Sequence, residues 1–287
     1  MMKKSDSMSK ISVIGICGRS TFMYVDHFHE NGETLSADSV YEEMGGKGIN
    51  QAVASARMGS EVSFLCAAGD DGGAEECKKV AVENNIRATV AVKKGKPSTF
   101  AFILTDKHGE NRVTVCRGAE LCADDVEQFY DEIATSDLLL LQNEVPWSVN
   151  ERAINIAAQN GVRVIMNPAP AGDIPDSVVD KIYAVTPNEH ERSLIDAGRF
   201  ANCITTLGAA GCDINATVRI PATDQIAVDT TGAGDTFNGV LAVCIADGME
   251  FVDACRYAVA ASGLSVSKKY VLASIPYRSD IEKEMLK

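Results

Sequence analysis

Short apolar runs alternate along this chain with longer stretches whose apolar positions recur every three or four residues. The runs Ile11–Ile14, Val62–Cys66, Asp137–Leu141, Val162–Met166, Ala184–Thr186, Ile204–Leu207 and Gln225–Val228 predict strands. Helices are predicted at Gly48–Met58, Ala74–Asn84, Ala123–Ala134, Ser148–Gln159 and Asn188–Asp196, then from about Gly234 to Ala246, Phe251–Ser267 and Arg278–Leu286. Strand and helix in alternation favour a parallel α/β sheet.

Two stretches break the rhythm. Val25–Glu43 and Thr89–Arg117 read as β-rich, the second as a hairpin of Phe100–Thr105 and Arg112–Cys116 around a turn at Lys107–Asn111. Strands outside a parallel core predict a small β lid over its edge. No linker, low-complexity tract or internal repeat divides residues 1–287, so a single domain is expected, its lid formed by about 25–43 and 89–117. Polar residues collect at predicted strand ends: Gln142-Asn143-Glu144, Asn167, Asn188 and Thr206. In open α/β sheets ligands bind beyond those ends.

Composition narrows the function classes. Of 287 residues, 46% are hydrophobic and 23% charged, ordinary values for a soluble globular protein. A net charge of −13 with no strongly basic block argues against a nucleic-acid or acidic-membrane partner. The polar Met1–Lys10 segment lacks an apolar stretch, so no signal peptide is expected, and runs such as Leu138–Leu141 are too short to span a bilayer. Nine cysteines stand singly, without a C-x-x-C pair, which fits reduced, mostly core thiols in a cytoplasm. His27, His29, His108 and His190 form no metal-ligand pattern.

The chemistry points to Asp229-Thr-Thr-Gly-Ala-Gly-Asp-Thr-Phe-Asn-Gly239. It opens a helix whose apolar stripe is Phe237, Val240, Leu241, Cys244 and Ile245. Gly232 and Gly234 permit a tight turn whose backbone N–H groups aim at one spot. Those donors, with the helix dipole, favour an anion such as a phosphoryl group in transfer. Asp235 sits in the first turn, where an acid is favourable on dipole grounds alone, by about 0.3–1 kcal/mol. That accounts for one Asp, but not for the glycines around it and the preceding Asp229. No G-x-x-x-x-G-K-[ST] occurs, and position 237 is Phe where a dinucleotide fingerprint needs Gly. A second segment, Gly45-Gly-Lys-Gly-Ile-Asn-Gln-Ala-Val-Ala-Ser-Ala-Arg-Met-Gly59, puts paired glycines, Lys47 and Asn50 before and into a helix kept small by Ala52, Ala54, Ser55 and Ala56.

Together these segments closely resemble the two signatures of the ribokinase (PfkB) carbohydrate kinase family. The resemblance runs from Ile11 to Tyr277 and includes Leu141-Gln-Asn-Glu-Val-Pro146, Asn167-Pro-Ala-Pro-Ala171, Thr186-Pro-Asn-Glu189 and Thr205-Thr-Leu-Gly208. It implies a three-layer α/β/α fold with a mostly parallel central sheet and a small β lid that often mediates homodimers. It implies ATP-dependent transfer to a hydroxyl of a sugar, with Asp235 as general base and the Gly232, Ala233, Gly234 and Asp235 backbone as anion hole. Gly46, Lys47, Asn50 and Glu144 would line the sugar pocket. Asn188, Thr206 and Gly208 would lie along ATP, with Glu191 near Mg²⁺ through ordered water.

The chain departs from the family pattern in three places. Where ribokinases carry Asn-x-Asp after the first strand, an ungapped match places Gly18-Arg19-Ser20. Ser20 replaces a sugar-holding carboxylate, and Arg19 is expected to meet an anionic group on the substrate. The stretch between Glu189 and Thr206 is short by about one crossover helix. Family members with a monovalent-cation site usually have a Gly near Tyr270; by the resemblance Asp229, Thr231 and Ser274 would still contribute ligands to K⁺. Two other readings stand beside the sugar kinase: a nucleoside kinase of the same family, and a non-catalytic sugar sensor.

Overall fold

The computed structural model describes residues 8–286, so most of Met1–Lys10, and the reading of it as lacking a signal peptide, falls outside the described residues. The chain opens with β1 (Lys10–Ile14), forms two lid strands, β2 (Gly18–Tyr24) and β3 (Ser39–Gly45), and returns through α1 (Lys47–Arg57) to β4 (Glu61–Gly69). Helix α2 (Gly73–Glu83) leads to β5 (Ile86–Lys93), and the lid is completed by β6 (Phe100–Thr105) and β7 (Asn111–Cys116). Then come α3 (Ala123–Glu127), α4 (Tyr130–Ala134), β8 (Leu138–Gln142), α5 (Trp147–Gln159), β9 (Arg163–Asn167), α6 (Asp176–Val179) and β10 (Ala184–Val185). The last part holds α7 (Glu189–Leu194), β11 (Ile204–Thr206), β12 (Cys212–Ile214), β13 (Val218–Ile220), α8 (Ala233–Ala246), α9 (Phe251–Val266) and α10 (Arg278–Met285).

The central sheet is parallel throughout, in the order β10-β9-β8-β1-β4-β5. Its inner strands are mostly apolar because both faces are covered: Leu138 to Leu141 are all fully buried, and Ser12 and Ser63 are buried polar exceptions on β1 and β4. One face carries α1, α8 and α9, with Ile49, Val53, Phe237, Leu241 and Ala258 in its core. The other carries α3 to α6, with Val126, Ile133, Ile154 and Val178. Isolated bridges from Val185 to Cys203 and from Asn188 to Thr206 lay the antiparallel β11-β12-β13 meander beside β10. The lid is a separate sheet in the order β3-β2-β6-β7.

Several expectations need correction. Gln225–Val228 is no strand: it runs irregularly, with Ile226 84% and Val228 56% exposed. Its apolar run lacks a partner to pair with. The lid starts earlier than Val25, at Gly18, and residues 89–93 pair with β4 in the central sheet as part of β5. Ala123–Ala134 divides into α3 and α4, and the helix begun at Asn188 is short. After α7 a 3-10 turn at Ala197–Arg199 leads to β11, which accounts for the compact crossover between Glu189 and Thr206. Strands β12 and β13 are three residues each, too short for a periodicity signal.

Helices α1 and α8 nearly touch. A Cβ on Gly239 would lie 2.5 Å from Ala54 Cβ and 2.6 Å from the Gln51 carbonyl oxygen. Ser55 adds hydrogen bonds to Gln51 O at 2.9 Å and Gly239 O at 3.2 Å. This abutment brings the side chains at the start of α1 to the start of α8. Gly239→Val would force the helices apart against backbone, and a loss of about 1–3 kcal/mol is expected. Urea unfolding checks it; an unchanged midpoint would show that the helices can separate freely.

Candidate active site

Helix α8 begins without a side-chain cap at Gly232, whose φ of +76° is the left-handed conformation that glycine adopts without strain. A Cβ on Gly234 would meet nothing within 4 Å, so open space lies over the first turn. Asp235 stands at that opening and is itself buried. Its carboxylate is fixed from two sides by α1: Asn50 Nδ2 donates to Oδ2 at 2.9 Å, and Gln51 Nε2 donates to Oδ1 at 3.0 Å.

The pinning extends to the strand ends. Gln51 Nε2 also reaches Asn167 Oδ1 at 3.2 Å, and Gln51 Oε1 accepts from Gln142 Nε2 at 2.7 Å. Asn167 donates to Thr186 O at 3.0 Å, Thr186 Oγ1 bonds Asn238 Oδ1 at 2.5 Å, and Asn238 donates to Gly234 O at 2.8 Å. Polar ends of β8 and β9, with the residue after β10, therefore hold both the acid and the turn that carries it. Among these residues Asn50 Oδ1 and Gln142 Oε1 are buried without a partner, and Asn50, which lines the cavity, offers an acceptor suited to a ligand hydroxyl.

A cavity of about 250 Å³ lies between this acid and the lid, its polar lining including Ser20, Glu43, Lys47, Asn50, Glu144 and Asp235. Gly46, at φ +102°, turns the chain so that the Lys47 N–H donates to Glu144 Oε2 at 3.0 Å. Asp235 raises the Lys47 ammonium above its usual range, with help from Glu144 and Glu191 and against burial. Burial pushes the Glu144 carboxyl up to about 7, although Lys47 pulls it back. A second cavity of about 380 Å³ shares Lys47 and Glu144 and extends to Glu191.

Asn188, Thr206 and Gly208 gather beyond the ends of β10 and β11, joined by the Asn188–Thr206 bridge. Asn188 caps α7: its Oδ1 accepts the Glu191 N–H and its own N–H goes to Glu191 Oε2, each at 2.8 Å. Burial holds the Glu191 carboxyl above its ordinary range. Asp229 accepts the N–H of Thr231 at 2.9 Å and of Tyr270 at 3.1 Å, while Ser274 Oγ donates to Val271 O at 2.8 Å. Among the described residues no group of three or more His, Cys, Asp or Glu could hold a metal ion, and no helix is long and apolar enough to cross a membrane. Seven of the nine cysteines are buried, and all are free.

Arg19 is turned away. Strand alternation puts Ser20 and Phe22 on the cavity side of β2, and the Arg19 guanidinium pairs on the other side with Glu76 of α2. Arg19 still borders the cavity, but its guanidinium is engaged by Glu76. Gln51 and Glu43 went unnoticed in the sequence. Gln51 had a signal: a long amide within a helix face otherwise made of small apolar residues.

The profile of the pfkB family of carbohydrate kinases matches residues 8–278. The chain belongs to this family. It is 33% identical to the ribokinase of Haemophilus influenzae over 294 residues, covering 94% of this chain and 96% of that one. It is 32% identical to the Bacillus subtilis ribokinase, covering 96% and 99%. The crystal structure of ribokinase from Thermotoga maritima superposes with a TM-score of 0.87 at 29% identity, covering 98% of this kinase and 100% of the other.

The raised Glu144 carboxyl gives a pH prediction. The folded kinase binds this proton more tightly than the unfolded chain, so the group's cost to stability appears as pH rises from 4.5 towards 7. Glu144→Gln removes that cost. Its unfolding midpoint relative to wild type should climb between pH 5 and pH 8 and then level off. A constant difference across that range would rule the burial effect out.

Proposed function

We propose that this pfkB-family kinase transfers the γ-phosphoryl group of ATP to a primary hydroxyl of a sugar or sugar derivative. The observation that carries the reading is Asp235, a buried carboxylate held by two amides at the uncapped start of α8, facing a lidded polar cavity. Asp235 takes the acceptor proton as the new O–P bond forms, and the bond to the β-phosphate breaks to release ADP. The N–H groups at Gly232 to Asp235 and the Lys47 ammonium face the charge gathered on the moving phosphoryl group. Asn50 and Glu144 orient the acceptor.

Asn188, Thr206 and Gly208 lie where the nucleotide would extend from Glu191. Glu191, a buried acid beside the cleft, suits Mg²⁺ that arrives with ATP. Bound there, the ion would offset phosphate charge, with Glu191 facing it through water. Asp229 and Ser274 oxygens keep lone pairs beyond their present bonds, and with Thr231 they would hold a monovalent cation such as K⁺. Free thiols throughout fit the cytoplasm. Exposed Val40 and Phe102, on the face of the lid turned away from the cavity, support a homodimer through that sheet.

A nucleoside acceptor is the second reading. The adjoining 380 Å³ cavity, walled in part by Ile16, Leu121, Val145 and Pro146, has room for an appended base.

ADP production with Mg-ATP across pentoses, hexoses, sugar acids, sugar phosphates and nucleosides tests both readings. Turnover on one class is expected, falling about 10²–10⁴-fold in Asp235→Asn. Binding without turnover would indicate a sensor instead. Because its guanidinium faces Glu76, Arg19→Ala should leave acceptor KM within about twofold, as for a surface ion pair. A large rise in KM would return Arg19 to the substrate.

A further inference from the structure

Tyr270 has φ +67°, a conformation that strains a residue carrying a Cβ. Its ring is engaged by the lid. Tyr41 of β3 stacks on it with centroids 3.6 Å apart and planes 19° apart, and Phe22 of β2 meets it edge-on at 6.2 Å. Two residues further along the same face of β3, Glu43 accepts the N–H of Val271 at 2.8 Å and of Leu272 at 3.2 Å. Asp229 holds the Tyr270 N–H from the other side. Three successive N–H groups of this loop are thus bound by carboxylates, two of them by the lid.

The loop in turn touches the start of α8. A Cβ on Gly232 would lie 2.3 Å from Val271 Cγ1, so the Val271 side chain rests directly against the Gly232 backbone. Val271 also packs with Phe22 and Ile103 beneath the lid. At the other end of the chain of contacts, Glu43 stands opposite Ser20 in the β2–β3 register, and both line the cavity over Asp235. One side chain therefore borders the acceptor cavity and fastens the loop that abuts Gly232.

We infer that Glu43 is a positioning residue: by clasping Val271 and Leu272 it makes the seating of the lid over an acceptor set the position of the α8 start. The functional role rests on the kinase reading, whereas the physical coupling does not. A carboxylate is needed because both of its oxygens accept backbone N–H groups with the strength of charged hydrogen bonds, which a neutral side chain cannot match. The Tyr41–Tyr270 stack fixes the loop in the geometry that presents those N–H groups.

Amide hydrogen exchange on the full-length chain without ligand reads this coupling and needs no turnover. In Glu43→Ala, exchange at Val271 and Leu272 should speed up about tenfold or more, the size expected for losing hydrogen bonds to a charged group. The amides of Thr231 to Asp235 should speed up with them, while those of α5, on the opposite face of the sheet, stay at wild-type rates. Glu43→Gln, which keeps one acceptor, should restore part of the protection and serves alone if the alanine variant fails to fold. Tyr41→Leu should loosen the same two segments. Faster exchange confined to Val271 and Leu272 would overturn the inference. So would equal acceleration in α5, which would mean general destabilisation. An acceptor panel without turnover would defeat the kinase reading and leave these exchange rates as they are.

Discussion

The site depends on a buried carboxylate being held still by neutral amides. Asp235 has given up much of its water, and Asn50 and Gln51 supply the hydrogen bonds that burial removed. Those amides reach it because α1 and α8 approach almost backbone to backbone at Ala54 and Gly239. They keep their orientation because Gln51 is bound by Gln142 and Asn167 at the strand ends. The parallel sheet thereby sets the direction of a single acid, and the same network fixes the Gly234 carbonyl through Thr186 and Asn238.

Charge is arranged around that acid rather than on it. Lys47 stands in the combined field of Asp235, Glu144 and Glu191, and Glu144 is poised near neutral pH by its burial. Such a grouping can pass from an acceptor hydroxyl and a polyanionic donor to their products without stranding a charge in the cleft. The lid supplies the remaining wall. Where the family pattern has a carboxylate on the second strand, this kinase has Ser20, and the neighbouring strand contributes Glu43.

Much of this could be read from the sequence. The segments Gly45–Gly59 and Asp229–Gly239 are local: turn glycines, a first-turn acid and small helix residues stand close together along the chain, so their spacing carries the geometry. The apolar strands were legible because burial on both faces leaves few polar interruptions, Ser12 and Ser63 among them. Long-range pairings were not. Nothing near Gln51 in sequence announces that it bonds a residue of α8, and nothing near Glu43 points to Leu272. Nor does anything near Arg19 in sequence point to Glu76 of α2, the partner its guanidinium takes. Gln225–Val228 has strand-like composition but no partner strand, and composition does not report partners.

The central claim is that the phosphoryl group leaves ATP for a sugar hydroxyl at Asp235, not for water. Phosphorus NMR of wild type with Mg-ATP and an accepted sugar tests this most directly. The account predicts that the γ-phosphorus signal is replaced by one phosphate monoester in step with ADP. Inorganic phosphate appearing in step with ADP, with no phosphate ester, would contradict it.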